Sequence, residues 1–233
     1  MRTSKYIALL LGCALLGGCD EGKIYPSESD GTGAGYNVVM TGDLKGSAEY
    51  GSGYSLVLAV FEEGDDFAEI SKGVEVGSGE TELSNVTVTQ GTVELCVVNT
   101  LRKRVLTLAT MQVNDQAGGE TLRFDVGDVD VSAFGIIADR IFATTCLQCH
   151  GGTSHAAAGL DLNREKAWAM LVNVPSNVVE GMMRVAPDEP RRSTLWEAVA
   201  TDASAGWSFN HSNLLPSEQS GFIEKWIEKG AEK

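Results

Sequence analysis

Residues 36–131 alternate between apolar and polar positions in short runs, which is the pattern of half-buried β-strands. Turn-forming residues separate the runs, including the acidic stretch 63–66 and the Gly-Ser-Gly at 77–79. The alternation predicts strands at 36–40, 54–61, 74–76, 86–89, 93–98, 105–113 and 122–126. Seven short strands in about 95 residues are typical of an immunoglobulin-like sandwich, so we expect an all-β domain here.

The spacing of the apolar residues becomes helical after residue 131. Ser132 is a suitable N-cap for a helix whose apolar face consists of Phe134, Ile137, Ile141, Phe142 and Thr145. Short helices are predicted at 164–171 and 194–201. The last predicted helix begins after the N-cap Ser217 and ends at Gly230. Its apolar face consists of Phe222, Ile223, Trp226 and Ile227.

The N-terminal segment has the composition of an export signal. Arg2 and Lys5 precede an apolar run at 6–16 that is too short to cross a bilayer comfortably. The run ends in Leu-Gly-Gly-Cys at 16–19, which resembles the lipobox of bacterial lipoproteins. The resemblance implies that 1–18 is a signal peptide and that Cys19 is acylated. An ordinary secretory signal with an incidental cysteine is the alternative, and Cys13 is a poorer acylation candidate because cleavage there leaves too short an apolar core.

Residues 19–35 are polar and rich in glycine, which predicts a flexible tether. The predicted organisation is a signal peptide at 1–18, the tether at 19–35, a β-sandwich domain at 36–131 and a second domain at 132–233. We therefore expect an exported lipoprotein on the periplasmic or cell-surface side of a bacterial membrane. Acyl chains on Cys19 would hold it there, since several chains anchor a protein stably.

The chain is acidic, with a net charge of −14 and an isoelectric point near 4.6. Removal of Arg2 and Lys5 with the signal peptide takes the net charge from −14 to −16. Such a charge disfavours nucleic acid as a partner and would attract a basic redox protein or a cationic small molecule. The negative charge also favours solubility, and solubility alone is enough to explain why the chain is acidic.

The clearest chemical signal is the run Cys-Leu-Gln-Cys-His at 146–150. Two thiols at this spacing can each add to one vinyl group of haem, and the histidine that follows can ligate the iron. We expect one covalent haem c on Cys146 and Cys149, with His150 as the proximal iron ligand. The alternatives are a thioredoxin-like redox pair, a structural disulfide, and half of a zinc site completed by His155 and His211. The remaining cysteine, Cys96, is expected to be a buried and unpaired residue.

Residues 132–233 resemble the small single-haem cytochrome c domains of bacterial exported proteins in four blocks. These blocks are IFATTCLQCHG at 141–151, GLDL at 159–162 followed by LVN at 171–173, RVAPD at 184–188 with STLW at 193–196, and IEKWIEKGA at 223–231. The resemblance implies an all-α cytochrome c domain whose first and last helices cross beside the haem. The predicted fold is therefore multidomain, with an N-terminal immunoglobulin-like sandwich followed by this all-α domain.

Proteins of this family usually supply a methionine just before the last helix as the second iron ligand. No methionine follows Met183 in this chain, and the corresponding stretch contains His211. His211 is therefore the predicted distal ligand. Ligation by Met182 or Met183, ligation by His155, and an open five-coordinate iron are the alternatives.

These features predict one-electron transfer by a membrane-anchored cytochrome that is a carrier rather than an enzyme. Its partner would be a redox protein or a small electron donor or acceptor. We expect Trp196, Trp207 and Trp226, and also Trp168, to fill space near the haem rather than to relay electrons. The alternative functions are a haem enzyme or gas sensor with an open iron site, and a surface interaction protein that binds its partner through the β domain.

Overall fold

Seven β-strands precede a set of short helices in residues 35–115, 117–152 and 156–233, the part of the chain that the computed structural model describes. The strands are β1 Tyr36–Lys45, β2 Tyr54–Glu62, β3 Ile70–Gly73, β4 Gly77–Val86, β5 Gln90–Asn99, β6 Arg104–Asn114 and β7 Thr121–Asp130. The predicted signal peptide and the predicted tether up to residue 34, including Cys19, lie outside the described residues.

The strands form two sheets, ordered β4-β1-β7 and β3-β2-β5-β6, and the predicted sandwich is confirmed. Val38 and Met40 of the first sheet are buried in the same core as Leu58 and Leu95 of the second. In an immunoglobulin constant-type sandwich the first two strands share a sheet, whereas here β1 and β2 belong to different sheets. The immunoglobulin-like arrangement is therefore wrong. Alternation along one strand predicts the face that is buried and carries no information about which strands pair.

Two of the predicted strands, at 74–76 and 86–89, are displaced in the structure. The Gly-Ser-Gly at 77–79, expected to be a turn, begins β4 and pairs with β1 at 42–44. β4 is an edge strand with most of its side chains exposed. Polar residues protect edge strands from pairing with other chains, and they also remove the apolar alternation by which a strand is predicted.

A continuous helical stretch at 133–150 opens the second half of the protein. It consists of α1 Ala133–Ile136, a π-helical segment Ile137–Cys146 and α2 Leu147–His150. It is followed by α3 Arg164–Leu171, α4 Thr194–Ala200 and α5 Ser217–Glu228, and by the 3-10 turns Ala157–Gly159 and Pro190–Arg192. The hydroxyl of Ser132 accepts a hydrogen bond from the backbone N–H of Gly135 at 3.0 Å, so the predicted N-cap is confirmed.

The expected all-α cytochrome c domain is wrong, because too little of this half is helical. α3 has 8 residues and α4 has 7, and long irregular segments separate the helices. The segment 172–193 contains only the turn Pro190–Arg192 and is held by isolated bridges, among them Val172 to Val185 and Met183 to Ser193. Three prolines in this segment remove backbone donors and restrict the residues before them, which disfavours a longer helix. Short motifs around a cofactor site do not determine the helix content between them.

α5 joins the helical half to the sandwich. The side chain of Phe222 is completely buried, and its ring centroid lies 5.2 Å from that of Tyr50 and 5.3 Å from that of Tyr54. The hydroxyl of Tyr54 donates to the Glu218 carbonyl oxygen at 3.0 Å, and Lys103 Nζ lies 2.6 Å from a carboxylate oxygen of Glu218. Sandwich and helices thus contribute side chains to one hydrophobic core.

The two halves are also linked where they meet along the chain. Arg164 of α3 forms ion pairs with Asp130, the last residue of β7, and with Asp139 of the helical stretch. The described residues group into one compact unit, and the predicted domain boundary between 131 and 132 stays a prediction.

Cys96 is fully buried in a second apolar cluster, with Val57, Ala59 and Phe61 among its members, so its predicted burial is confirmed.

None of the helices in the described ranges is long and apolar enough to span a membrane.

The shared core predicts that removal of the Phe222 ring destabilises the whole described unit. Phe222→Ala should lower the free energy of unfolding by about 3–5 kcal/mol, because it leaves a cavity between α5 and the sandwich. Urea denaturation followed by tryptophan fluorescence measures this change. Phe67→Ala is the matched control, since that ring is 47% exposed, and it should change stability by less than about 0.5 kcal/mol. Equal unfolding midpoints for the two variants would contradict the shared core.

Candidate cofactor site

The Cys-Leu-Gln-Cys-His run lies at the C-terminal end of the helical stretch 133–150. Buried residues earlier in this stretch, among them Ile137, Ile141 and Phe142, hold it in the core. The chain then reaches the surface, with Cys146 partly buried and Cys149 exposed, and both side chains are free thiols. The fold therefore presents two thiols and the His150 imidazole at one helix end.

The environment of Cys146 does not suit a redox-active thiol pair. Burial and, to a smaller extent, the neighbouring Cys149 raise the pKa of this thiol to about 11. Catalytic redox cysteines have a lowered pKa, because the thiolate is the reactive form. Within the described ranges, which do not include His155, no three His, Cys, Asp or Glu side chains gather where they could hold a metal ion. The raised pKa of Cys146 disfavours the thioredoxin-like alternative.

The His150 ring is oriented by the loop that follows it. Its Nδ1 atom lies 3.1 Å from the Ala157 carbonyl oxygen and 3.3 Å from that of Leu160. Carbonyl oxygens only accept hydrogen bonds, so Nδ1 is the protonated nitrogen and donates to them. The lone pair of Nε2 remains free to ligate a metal, which is the arrangement that orients histidine ligands in metalloproteins.

Residues 161–163 hold this loop against the Cys-Leu-Gln-Cys-His run through hydrogen bonds. The backbone N–H of Leu162 donates to the His150 carbonyl oxygen at 2.7 Å, and the Asn163 side-chain amide donates to the Gly151 carbonyl oxygen at 3.1 Å. Asp161 accepts hydrogen bonds from Lys166 and Asn163, which lower the pKa of its carboxyl group to about 2. The block GLDL at 159–162 contains Asp161 and Leu162, but the structural role of these residues and of Asn163 was not predicted.

The structure brings the ring of His211 close to the ring of His150. The ring centroids of His150 and His211 are 6.4 Å apart, and the ring planes are inclined by 35°. A metal held between two opposed imidazoles, with bonds of about 2 Å, places the ring centroids about 6 Å apart. The spacing therefore leaves room for one metal atom between the two rings, and the donor set fits haem iron with two axial imidazoles.

The surroundings of His211 favour its neutral form. Burial lowers the pKa of the imidazole, and the nearby His150 lowers it further, while the backbone of Phe209 acts in the opposite direction. The rings of Trp207 and Phe209 lie edge-on to it, with centroid distances of 5.8 Å and 5.1 Å. A neutral imidazole keeps the lone pair that a metal requires.

The other predicted site residues have different positions. Of the tryptophans, Trp207 contacts the ring of His211, whereas Trp226 packs against Phe134 and Trp196 lies beneath the guanidinium of Arg191. Met183 lies in the bridged segment opposite Pro175 and Ser193. His155 lies outside the described residues.

Comparison with known proteins gives one match. Residues 146–206 match the model of a family described as Planctomycete cytochrome C. The matched segment begins at the first cysteine of the motif, spans about a quarter of the chain and ends just before the loop that carries His211. This similarity supports a cytochrome c-like segment with covalently bound haem. None of the curated proteins and none of the solved structures compared with the chain matches it significantly.

Proposed function

We propose that this protein is a lipid-anchored electron carrier with one covalent haem c between His150 and His211. The observation that carries the proposal is the spacing of 6.4 Å between the two imidazole centroids, beside two free thiols in a C-x-x-C-H run. The match of 146–206 to a cytochrome family supports the same chemistry independently of the geometry.

Four side chains would hold the cofactor. Cys146 and Cys149 would each form a thioether bond to one vinyl group, and His150 and His211 would ligate the iron from opposite sides. Bound haem supplies a couple between ferric and ferrous iron that takes up and releases one electron. The protein contributes the orientation of His150 through the carbonyls of Ala157 and Leu160, and the burial that keeps His211 neutral.

Ligation by two histidines would favour a carrier over an enzyme. If both His150 and His211 held the iron, no iron position would remain for a substrate or a gas. A histidine in place of the usual methionine also lowers the reduction potential, because methionine ligation raises it. The acidic chain would bind a basic redox protein or a cationic small molecule through long-range attraction, which weakens with added salt.

Covalent attachment is tested on the two motif cysteines. Replacement of both Cys146 and Cys149 by alanine should abolish the haem-stained band of the protein on denaturing gels, because no thioether can form. Wild type should contain one iron and one haem per chain. Cys96→Ala is the matched control and should retain the full haem content, since Cys96 is buried in the second apolar cluster of the sandwich. Haem that extracts completely from wild type into acidified organic solvent would show that the attachment is not covalent.

The distal ligand is tested by opening the iron site. The wild-type protein should be low-spin and bind almost no carbon monoxide, whereas His211→Ala should give a high-spin ferric spectrum and bind carbon monoxide stoichiometrically. Met183→Ala is the control and should leave the absorption spectrum unchanged.

Two results would contradict this ligand assignment. A high-spin spectrum for Met183→Ala but not for His211→Ala would assign the methionine instead. Free binding of carbon monoxide by wild type would favour a haem enzyme or gas sensor with an open site.

The membrane anchor is part of the proposal and rests on the lipobox-like run at 16–19. Cys19→Ser should abolish incorporation of a fatty-acid analogue and release the protein from the membrane fraction, because no acyl chain can be attached. Cys13→Ser should leave both unchanged. Equal labelling of wild type and Cys19→Ser would contradict acylation of Cys19.

A further inference from the structure

We infer that Ser204 is the positioning residue that holds His211 at the iron, an inference that rests on the proposed function. Ser204 is completely buried, although the residues on either side of it, at 202–203 and 205–206, are exposed. Polar side chains are buried where their hydrogen bonds are satisfied. Ser204 can therefore be buried because its hydroxyl group has hydrogen-bond partners.

Ser204 connects the backbone of His211 to the core. Its hydroxyl oxygen accepts a hydrogen bond from the backbone N–H of His211 at 2.7 Å. Its single proton can be donated to the carbonyl oxygen of Ala198 in α4 or to the side-chain oxygen of Asn210, each at 3.2 Å. The hydroxyl thus links the loop that carries His211 to the helix that precedes the loop.

The His211 ring depends on this link because it has little other support. Its Nδ1 atom is buried and has no hydrogen-bond partner among the described residues. The ring otherwise lies near the ring of His150 and against the edges of Trp207 and Phe209, and Phe209 is itself 52% exposed. His150, in contrast, has two carbonyl oxygens within hydrogen-bonding distance of its Nδ1 atom. The position of His211 is therefore set mainly through its backbone.

Loss of the Ser204 hydroxyl should raise the fraction of molecules in which His211 has left the iron. The backbone N–H of His211 would then lack its acceptor, and the loop would adopt other positions at lower cost. A ligand that competes for the distal position binds in proportion to the fraction of molecules with that position open. Carbon monoxide binding to the ferrous protein measures this fraction directly.

The experiment compares carbon monoxide affinity in wild type and in Ser204→Ala, both with covalently attached haem. We expect an increase of about tenfold in the variant, the change that loss of one buried hydrogen bond produces. Added imidazole should compete with carbon monoxide in Ser204→Ala, because both bind the opened position.

Ser193→Ala is the matched control for loss of a buried hydroxyl. Ser193 is also completely buried, and it accepts a hydrogen bond from the backbone N–H of Ala186 at 2.8 Å, seven residues away, as Ser204 does from His211. This variant should lose thermal stability and keep the wild-type affinity for carbon monoxide. Equal affinities in wild type and Ser204→Ala, or an equal increase in Ser193→Ala, would overturn the proposal.

Two other outcomes are interpreted separately from the comparison of Ser204→Ala with Ser193→Ala. If Ser204→Ala does not mature, Ser204→Cys replaces it, because sulfur is a weak acceptor and should shift the affinity in the same direction. A wild-type affinity in Ser204→Cys would then overturn the proposal. A wild-type protein without haem, or with an iron already open to carbon monoxide, would overturn the proposed function itself, before any variant is compared.

Discussion

The site depends on the burial of helices that are too short to be stable by themselves. Isolated helices below about 12–15 residues are marginal in water, and α5 has 12 residues, α3 has 8 and α4 has 7. Their stability must therefore come from packing one face against other elements. α5 packs Phe222 against the tyrosines of the sandwich and Trp226 against Phe134 of the helical stretch. The sandwich thus supports α5, and α5 supports the helical stretch that ends at His150.

The two histidines are nevertheless supported in different ways. His150 ends a helical stretch that is anchored in the core, and the loop closed by Asp161 and Asn163 faces its Nδ1 atom with two carbonyl oxygens. His211 lies on a loop, where its backbone N–H donates to Ser204 and its carbonyl oxygen accepts from the backbone N–H of Leu214. Side chains on helices are held more accurately than side chains on loops. The proximal side of the site is consequently the more rigid one, and any exchange of ligands would occur on the side of His211.

The sequence was informative where the signal is local. The N-cap Ser132, the helix at 164–171, the number of strands and the two thiols next to His150 all depend on residues that are close along the chain. The separation of β1 and β2 into different sheets depends on pairings between distant segments, so periodicity within one strand does not reveal it. The roles of Asp161 and Ser204 were missed because a polar residue in a loop has no periodic signal, and its partners are known only once the chain is folded. The all-α expectation failed for a related reason, since it extended short motifs to segments that contain none.

The electrostatics of the site match the task of an electron carrier. A carrier needs the same two ligands in both oxidation states, so that little rearrangement accompanies the transfer of the electron. Protons compete with a metal for imidazole nitrogens, and burial weakens this competition at His211 by lowering the pKa of its ring. At His150 the proton is held on Nδ1, away from the nitrogen that would ligate the iron. Two imidazoles positioned by elements of one core would thus favour a site that changes its charge by one electron while its ligands stay in place.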